Sequence, residues 1–110
     1  MAERARYDLS IYKGATYQKT STWTIDDEPV DFTNCVIKSQ IRMSENGTLV
    51  TEFDCDSIPT EGIIMLGLSA EKTAQLTPGI YYWDLKIVDA DEIVRYDLYG
   101  KVSVTGRVTD

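Results

Sequence analysis

Apolar and polar positions alternate along most of this chain, in short runs separated by turn signals every 8–15 residues. The runs are rich in Val, Ile, Tyr, Thr and Trp, whose branched or aromatic side chains suit a pleated, half-buried surface. Residues 7–12 make a first short run that ends at Lys13-Gly14. In residues 16–25, Tyr17, Trp23 and Ile25 share one face and Gln18, Thr20, Thr22 and Thr24 the other. Asp26-Asp27-Glu28-Pro29 then reads as a polar turn, with proline ending the ladder. In residues 35–43, Cys35, Ile37, Ile41 and Met43 oppose Val36, Lys38, Gln40 and Arg42. Asn46-Gly47 predicts a hairpin, because both residues accept positive φ. The return run, 49–54, places Leu49, Thr51 and Phe53 on one side; residues 55–61 read as a loop around Pro59, and 63–68 as a strand.

The strongest strand is 80–88, with Tyr81, Trp83, Leu85 and Ile87 against Tyr82, Asp84, Lys86 and Val88. Asp89 to Glu92 predicts a tight hairpin turn, and alternation in 93–99 turns Val94, Tyr96 and Leu98 inward. Gly100 permits a bend or bulge before Val102, Val104, Gly106 and Val108 continue as a last strand. Residues 69–76 break the period of two. Ser69 can cap a short helix with Glu71 near its positive end, and Leu68, Thr73 and Leu76 fall at near-helical spacing, so the segment predicts a small lid near residues 70–76. The pattern therefore predicts an all-β fold, a two-sheet antiparallel immunoglobulin-like β-sandwich of 7–8 strands with one helical turn; a small closed barrel is the alternative.

Composition bounds what such a domain does. At 110 residues the chain suits one domain, spanning 1–110, with residues 1–6 expected to form a flexible arm. Lys and Arg number 11 against 18 Asp and Glu, a net charge of −7, which disfavours a nucleic-acid partner. The chain has no histidine, which removes Ser-His-Asp and Cys-His catalysis and imidazole metal sites. The charged start carries no apolar secretory core and no window approaches a membrane span, so neither a signal peptide nor a membrane partner is predicted. Cys35 and Cys55, 20 residues apart, fit two thiols in a chain kept in the cytosol, with a bridge as the alternative.

Three acidic clusters invite a calcium reading: Asp26-Asp27-Glu28, Asp54-x-Asp56 and Asp89-x-Asp91-Glu92. None has EF-hand spacing, and Asp at a turn caps local backbone without any cation. Paired carboxylates for glycoside hydrolysis would need a cleft that the pattern does not indicate. No catalytic residue, metal or cofactor is predicted, and the chain is not expected to be an enzyme. Most aromatic rings fall on inward faces as core. Tyr82 and Tyr99 fall outward and, with the Asp26, Asp27, Glu28 loop and the Asp89, Asp91, Glu92 loop, are the candidate protein-contact residues.

One ordered series of motifs runs through residues 7–108. Lys13-Gly14-x-x-Tyr17 precedes a polar strand and acidic turn, and Val30-Asp31-Phe32-Thr33-Asn34 leads to a strand ending Gln40-Ile41-Arg42. Then comes Leu68-Ser69-x-x-x-Thr73-x-x-Leu76-x-Pro78-Gly79-x-Tyr81-x-x-Asp84-Leu85, and the chain closes on Gly100-x-Val102-x-Val104. This order resembles the small immunoglobulin-like sandwich domains of tailed-bacteriophage structural proteins, such as the N-terminal domains of baseplate upper proteins. Asn34 stands where that pattern more often has glycine, and Asn also tolerates positive φ. The resemblance implies a non-catalytic virion adaptor of the tail or baseplate, made in the host cytoplasm. It would have other phage structural proteins as partners and assemble as a homo-oligomer or in many copies. The alternatives are a capsid decoration or cement protein of the head surface and a carbohydrate-binding adhesion module.

Overall fold

The computed structural model describes residues 5–44 and 47–106. Among them are β1 (Ala5–Arg6), β2 (Leu9–Tyr12), β3 (Tyr17–Thr22), β4 (Thr24–Ile25), β5 (Glu28–Pro29), β6 (Val36–Arg42), β7 (Leu49–Glu52), β8 (Asp54–Ile58), β9 (Ile63–Leu68), α1 (Ala70–Ala74), β10 (Gly79–Val88) and β11 (Val94–Thr105). One sheet has the order β1-β11-β10-β6-β7, with β2 continuing β1's place beside β11, and the second has β3-β9-β8. This is the all-β immunoglobulin-like sandwich that the pattern predicts; β4 and β5 form a separate small hairpin. Eight of the strands have four or more residues, and three, β1, β4 and β5, have two. Pairing is antiparallel except at one edge, where β1 and β2 run parallel to β11. Ala5 and Arg6, expected in a flexible arm, are thus strand residues, while residues 1–4 lie outside the described residues.

The core forms where the two inner faces meet. Ile11, Ile41, Leu85, Ile87 and Val102 from the larger sheet close against Ile64, Leu66 and Leu68 from the smaller, all nearly fully buried. Phe53 links the sheets at the point where the chain leaves β7 for β8, and its ring packs edge-on to Trp83 and tilted against Tyr17. Tyr81 at the start of β10 donates its hydroxyl to Thr77 O, a tyrosine-corner contact that seals a buried ring end with a hydrogen bond.

α1 is the predicted lid. Ser69 caps it by accepting from Lys72 N at 3.1 Å; its Thr73 is buried, as are Leu68 and Leu76 on either side of it in the chain. Thr73 Oγ1 accepts from Gly14 N at 3.1 Å and donates to Ala15 O at 2.8 Å, which joins the Lys13-Gly14 loop to the lid. Thr73→Val keeps the shape but removes the partner of both backbone groups, at a part-buried site. We expect it to lower unfolding stability by about 2 kcal/mol in urea titration, with Thr73→Ser retaining most of that.

Several facings differ from simple alternation. Ile25 is 64% exposed rather than inward, because the chain leaves the sheet after Trp23 to build the β4–β5 hairpin. Met43 is exposed where β6 has already ended, and Leu49 is exposed because the register shifts between Ile41 and Arg42. Residues 55–61 are not a loop: 54–58 form β8 and a 3-10 turn follows over Pro59–Glu61. Asn34 takes φ 62°, as its place in the turn requires, and Asp31 anchors that turn by accepting from Thr33 N at 2.9 Å. The turn at Asn46 lies outside the described residues, bracketed by Gly47 N donating to Ser44 O at 3.0 Å.

Candidate interaction surface

The largest departure from alternation lies in β11. From Val104 to Leu98 every second residue faces the core, as predicted. Between Leu98 and Tyr96 the register with β10 shifts by one: Leu85 pairs with Leu98, but Lys86 pairs with Tyr96. Asp97 is the extra residue, and a one-residue bulge reverses the facing of everything beyond it. Val94 and Tyr96, expected inward, therefore lie outward at 49% and 44% exposure. Arg95, opposite Ile87, turns to the core side, with Nε 3.6 Å from Asp97 Oδ2.

This reversal builds a surface. Cα partners place Val36, Val88 and Val94 in one row across three strands, and Lys38, Lys86 and Tyr96 in the next. Gln40, Asp84 and Tyr99 follow, then Arg42, Tyr82 and Lys101. Tyr82 and Tyr99 thus face outward, as predicted; they are half-buried and belong to a larger surface whose far end the alternation pattern hid. On β6, β7, β10 and β11 this outer face carries four basic side chains (Lys38, Arg42, Lys86, Lys101) against two acidic ones (Asp84, Glu52), in a chain of net charge −7. Lys38 and Lys86 sit directly opposite each other, a like-charge pair that costs stability. Neither ion-pairs with another described residue.

The two acidic loops come to one end of the sandwich. At that end β3, β8 and β10 finish and β6, β9 and β11 begin. Trp23 N donates to Gly62 O, Val30 N to Trp23 O, Phe32 N to Pro59 O and Cys35 N to Phe32 O, tying the connections together. Asp26, Asp27 and Glu28 form the exposed tip of the β4–β5 hairpin, with φ 52° at Asp26 and 65° at Asp27. Asp89 organises the β10–β11 turn, its Oδ1 accepting from Asp91 N at 2.9 Å and Ile93 N at 3.0 Å, and Glu92 takes φ 63°.

Cys35 and Cys55 are free thiols that line one open pocket of about 140 Å³ with Ile37, Asp56 and Ser57. Burial pushes the Cys35 thiol up, reinforced by Asp89 and Asp31 and opposed by Arg95; burial likewise raises Cys55. Both therefore resist forming thiolate. Among the described residues no three Cys, Asp or Glu side chains gather as a metal site, and no helix is long and apolar enough to cross a membrane.

The geometry defines a class, an immunoglobulin-like sandwich with a basic, partly apolar sheet face beside an acidic end. No family model matches the chain, and no curated protein matches it. Among solved structures it is similar to CopC from Methylosinus trichosporium OB3b, at 12% identity and TM-score 0.51, over 93% of this chain and 89% of that one. At that identity the likeness shows the fold alone. The expectation of a phage tail or baseplate adaptor, with head-surface cement or a carbohydrate-binding module as alternatives, is corrected by these findings: neither CopC nor any family model or curated protein links the chain to a phage component. The soft turn and strand motifs that carried the resemblance are demands of the sandwich itself. Gly14 and Thr73 meet at the lid, and Tyr81 forms the corner.

Proposed function

We propose that this chain is a non-catalytic protein-binding domain that docks its partner on the outer face of the larger sheet, at Val36, Lys38, Lys86, Val88, Val94 and Tyr96. One observation carries the reading: the bulge at Asp97 turns Val94 and Tyr96 out beside two directly opposed, unpaired lysines. Three hydrogen-bonded strands make a rigid base, so binding orders little backbone. The valine row and the Tyr96 ring supply area to desolvate, and the lysines select an acidic partner and steer its approach. Beside them β6 pairs with β7 only at Gln40, Ile41 and Arg42, and Phe53 N adds a bond to Ser39 O, so residues 36–38 offer an open strand edge.

A photo-cross-linking residue at position 96, in cells that make the protein, should give one discrete protein adduct. The same residue at position 20, on β3 of the other sheet, should give none. Lys38→Glu/Lys86→Glu should remove the adduct at 96. Equal labelling from both positions, or an adduct indifferent to the two lysines, would sink the proposal.

A further inference from the structure

We infer that the occupant of this face is the β4–β5 hairpin of a second copy of the chain; the inference rests on the docking face proposed above. The hairpin is the complement of the face in both charge and polarity. All six residues of 24–29 are exposed, and Ile25, at 64%, is the most exposed large hydrophobic side chain among the described residues. Asp26, Asp27 and Glu28 follow it directly, three carboxylates with no ion pair to any described residue. An apolar knob with three negative charges thus stands free at one end of the molecule. A valine row edged by two unpaired positive charges stands free on its side.

Both features give up local stability. The hairpin turn holds positive φ at two consecutive residues, a geometry that Asn-Gly satisfies with least strain and that two adjacent aspartates satisfy at the cost of strain and mutual repulsion. The face opposes two lysines across a strand pair, where unlike or neutral residues would be favoured. The repulsion among the hairpin carboxylates and that between the two lysines are what a contact between the two would relieve. A short hairpin covers an area at the small end of the interface range, so the association is weak and depends on concentration and salt. Each copy presents both a knob and a face, so the contact can repeat from copy to copy.

The test is analytical ultracentrifugation of the purified full chain. Wild type should rise in weight-average mass between about 10 µM and about 1 mM in low salt, and fall back towards monomer at about 0.5 M salt. Asp26→Lys/Asp27→Lys and Lys38→Glu/Lys86→Glu should each be monomeric throughout, with circular dichroism unchanged. Mixed in equal amounts, the two variants should associate, because the intact hairpin of one meets the intact face of the other and the two reversed elements match as well. A wild type that stays monomeric in low salt, or a mixture that does not associate, overturns the inference. If position 96 still cross-links to a different protein in that case, the docking face stands and only its occupant is wrong. If it cross-links to nothing, both fall.

Discussion

Gly100→Ala is expected to lower stability by about 3 kcal/mol, at the upper end for overpacking, and to drop the melting temperature by roughly 15 °C. The reason lies at the edge of the larger sheet. β1 pairs with β11 at Leu98 and Tyr99, and β2 resumes at Val102, so the connecting Tyr7-Asp8 step crosses directly above Gly100. A Cβ there would overlap Tyr7 O and stand 2.7 Å from Tyr7 C and 2.9 Å from Asp8 Oδ1. The obstacle is mostly backbone, which no rotamer change relieves. The backbone is also pinned: Tyr7 N donates to Tyr99 O at 2.8 Å, and Lys101 N to Asp8 Oδ1 at 2.9 Å. Calorimetry of the variant checks the shift; a change under about 3 °C would show that the edge strand relaxes freely.

Asp8 makes the same edge sensitive to acid. The Lys101 amide, and then Arg6, hold its carboxyl below the usual carboxylate value. A lowered folded pKa stabilises the protein fully above the ordinary carboxylate range and fades as pH falls through the folded value. Wild type should therefore lose more stability between about pH 6 and pH 3 than Asp8→Asn does, by thermal melting at both values.

Trp83→Ala should cost about 4 kcal/mol, measured by urea unfolding. Trp83 is 3% exposed in the central strand, and its ring meets Phe53 edge-on at 6.2 Å. Its indole Nε1 donates to Tyr7 O at 2.7 Å, on the carbonyl that sits over Gly100. Trp83→Phe separates the two roles. It keeps most of the ring and removes the donor, so about 1–2 kcal/mol should be lost to the unpaired carbonyl alone. If Trp83→Phe cost as much as Trp83→Ala, the indole hydrogen bond rather than ring volume would dominate. Gly100→Ala combined with Trp83→Phe should cost less than the sum of the two, because both act on the position of Tyr7.

Much of this architecture was legible in the chain. Alternation located Tyr81, Trp83, Leu85 and Ile87 on the core side, and all four are buried. The Ser69 cap and the lid followed from side-chain chemistry that acts within a few residues, and the left-handed backbone at Asn34 from a pattern that more often has glycine there. Tyr82 and Tyr99 were legible as outward residues for the same reason. Val94 and Tyr96 were not. Nothing in residues 93–99 demands a bulge, since Val94, Tyr96 and Leu98 would alternate acceptably in a regular strand. The register shift exists only in the pairing with β10, and register is a property of two strands. The lysine pair was hidden likewise: Lys38 and Lys86 are 48 positions apart in sequence and meet only because β6 and β10 are neighbours. That the two acidic loops share one end followed from strand order and direction.

The chain by itself determined an all-β domain, most of its longer strands, its lid and the inward side of most of them, because those follow from local propensity and a period of two. Tertiary structure alone decided the parallel edge over Gly100, the outward turn of Val94 and Tyr96, and the meeting of Lys38 with Lys86. These depend on which strand lies beside which, and in what register, and that is settled by packing the two sheets together.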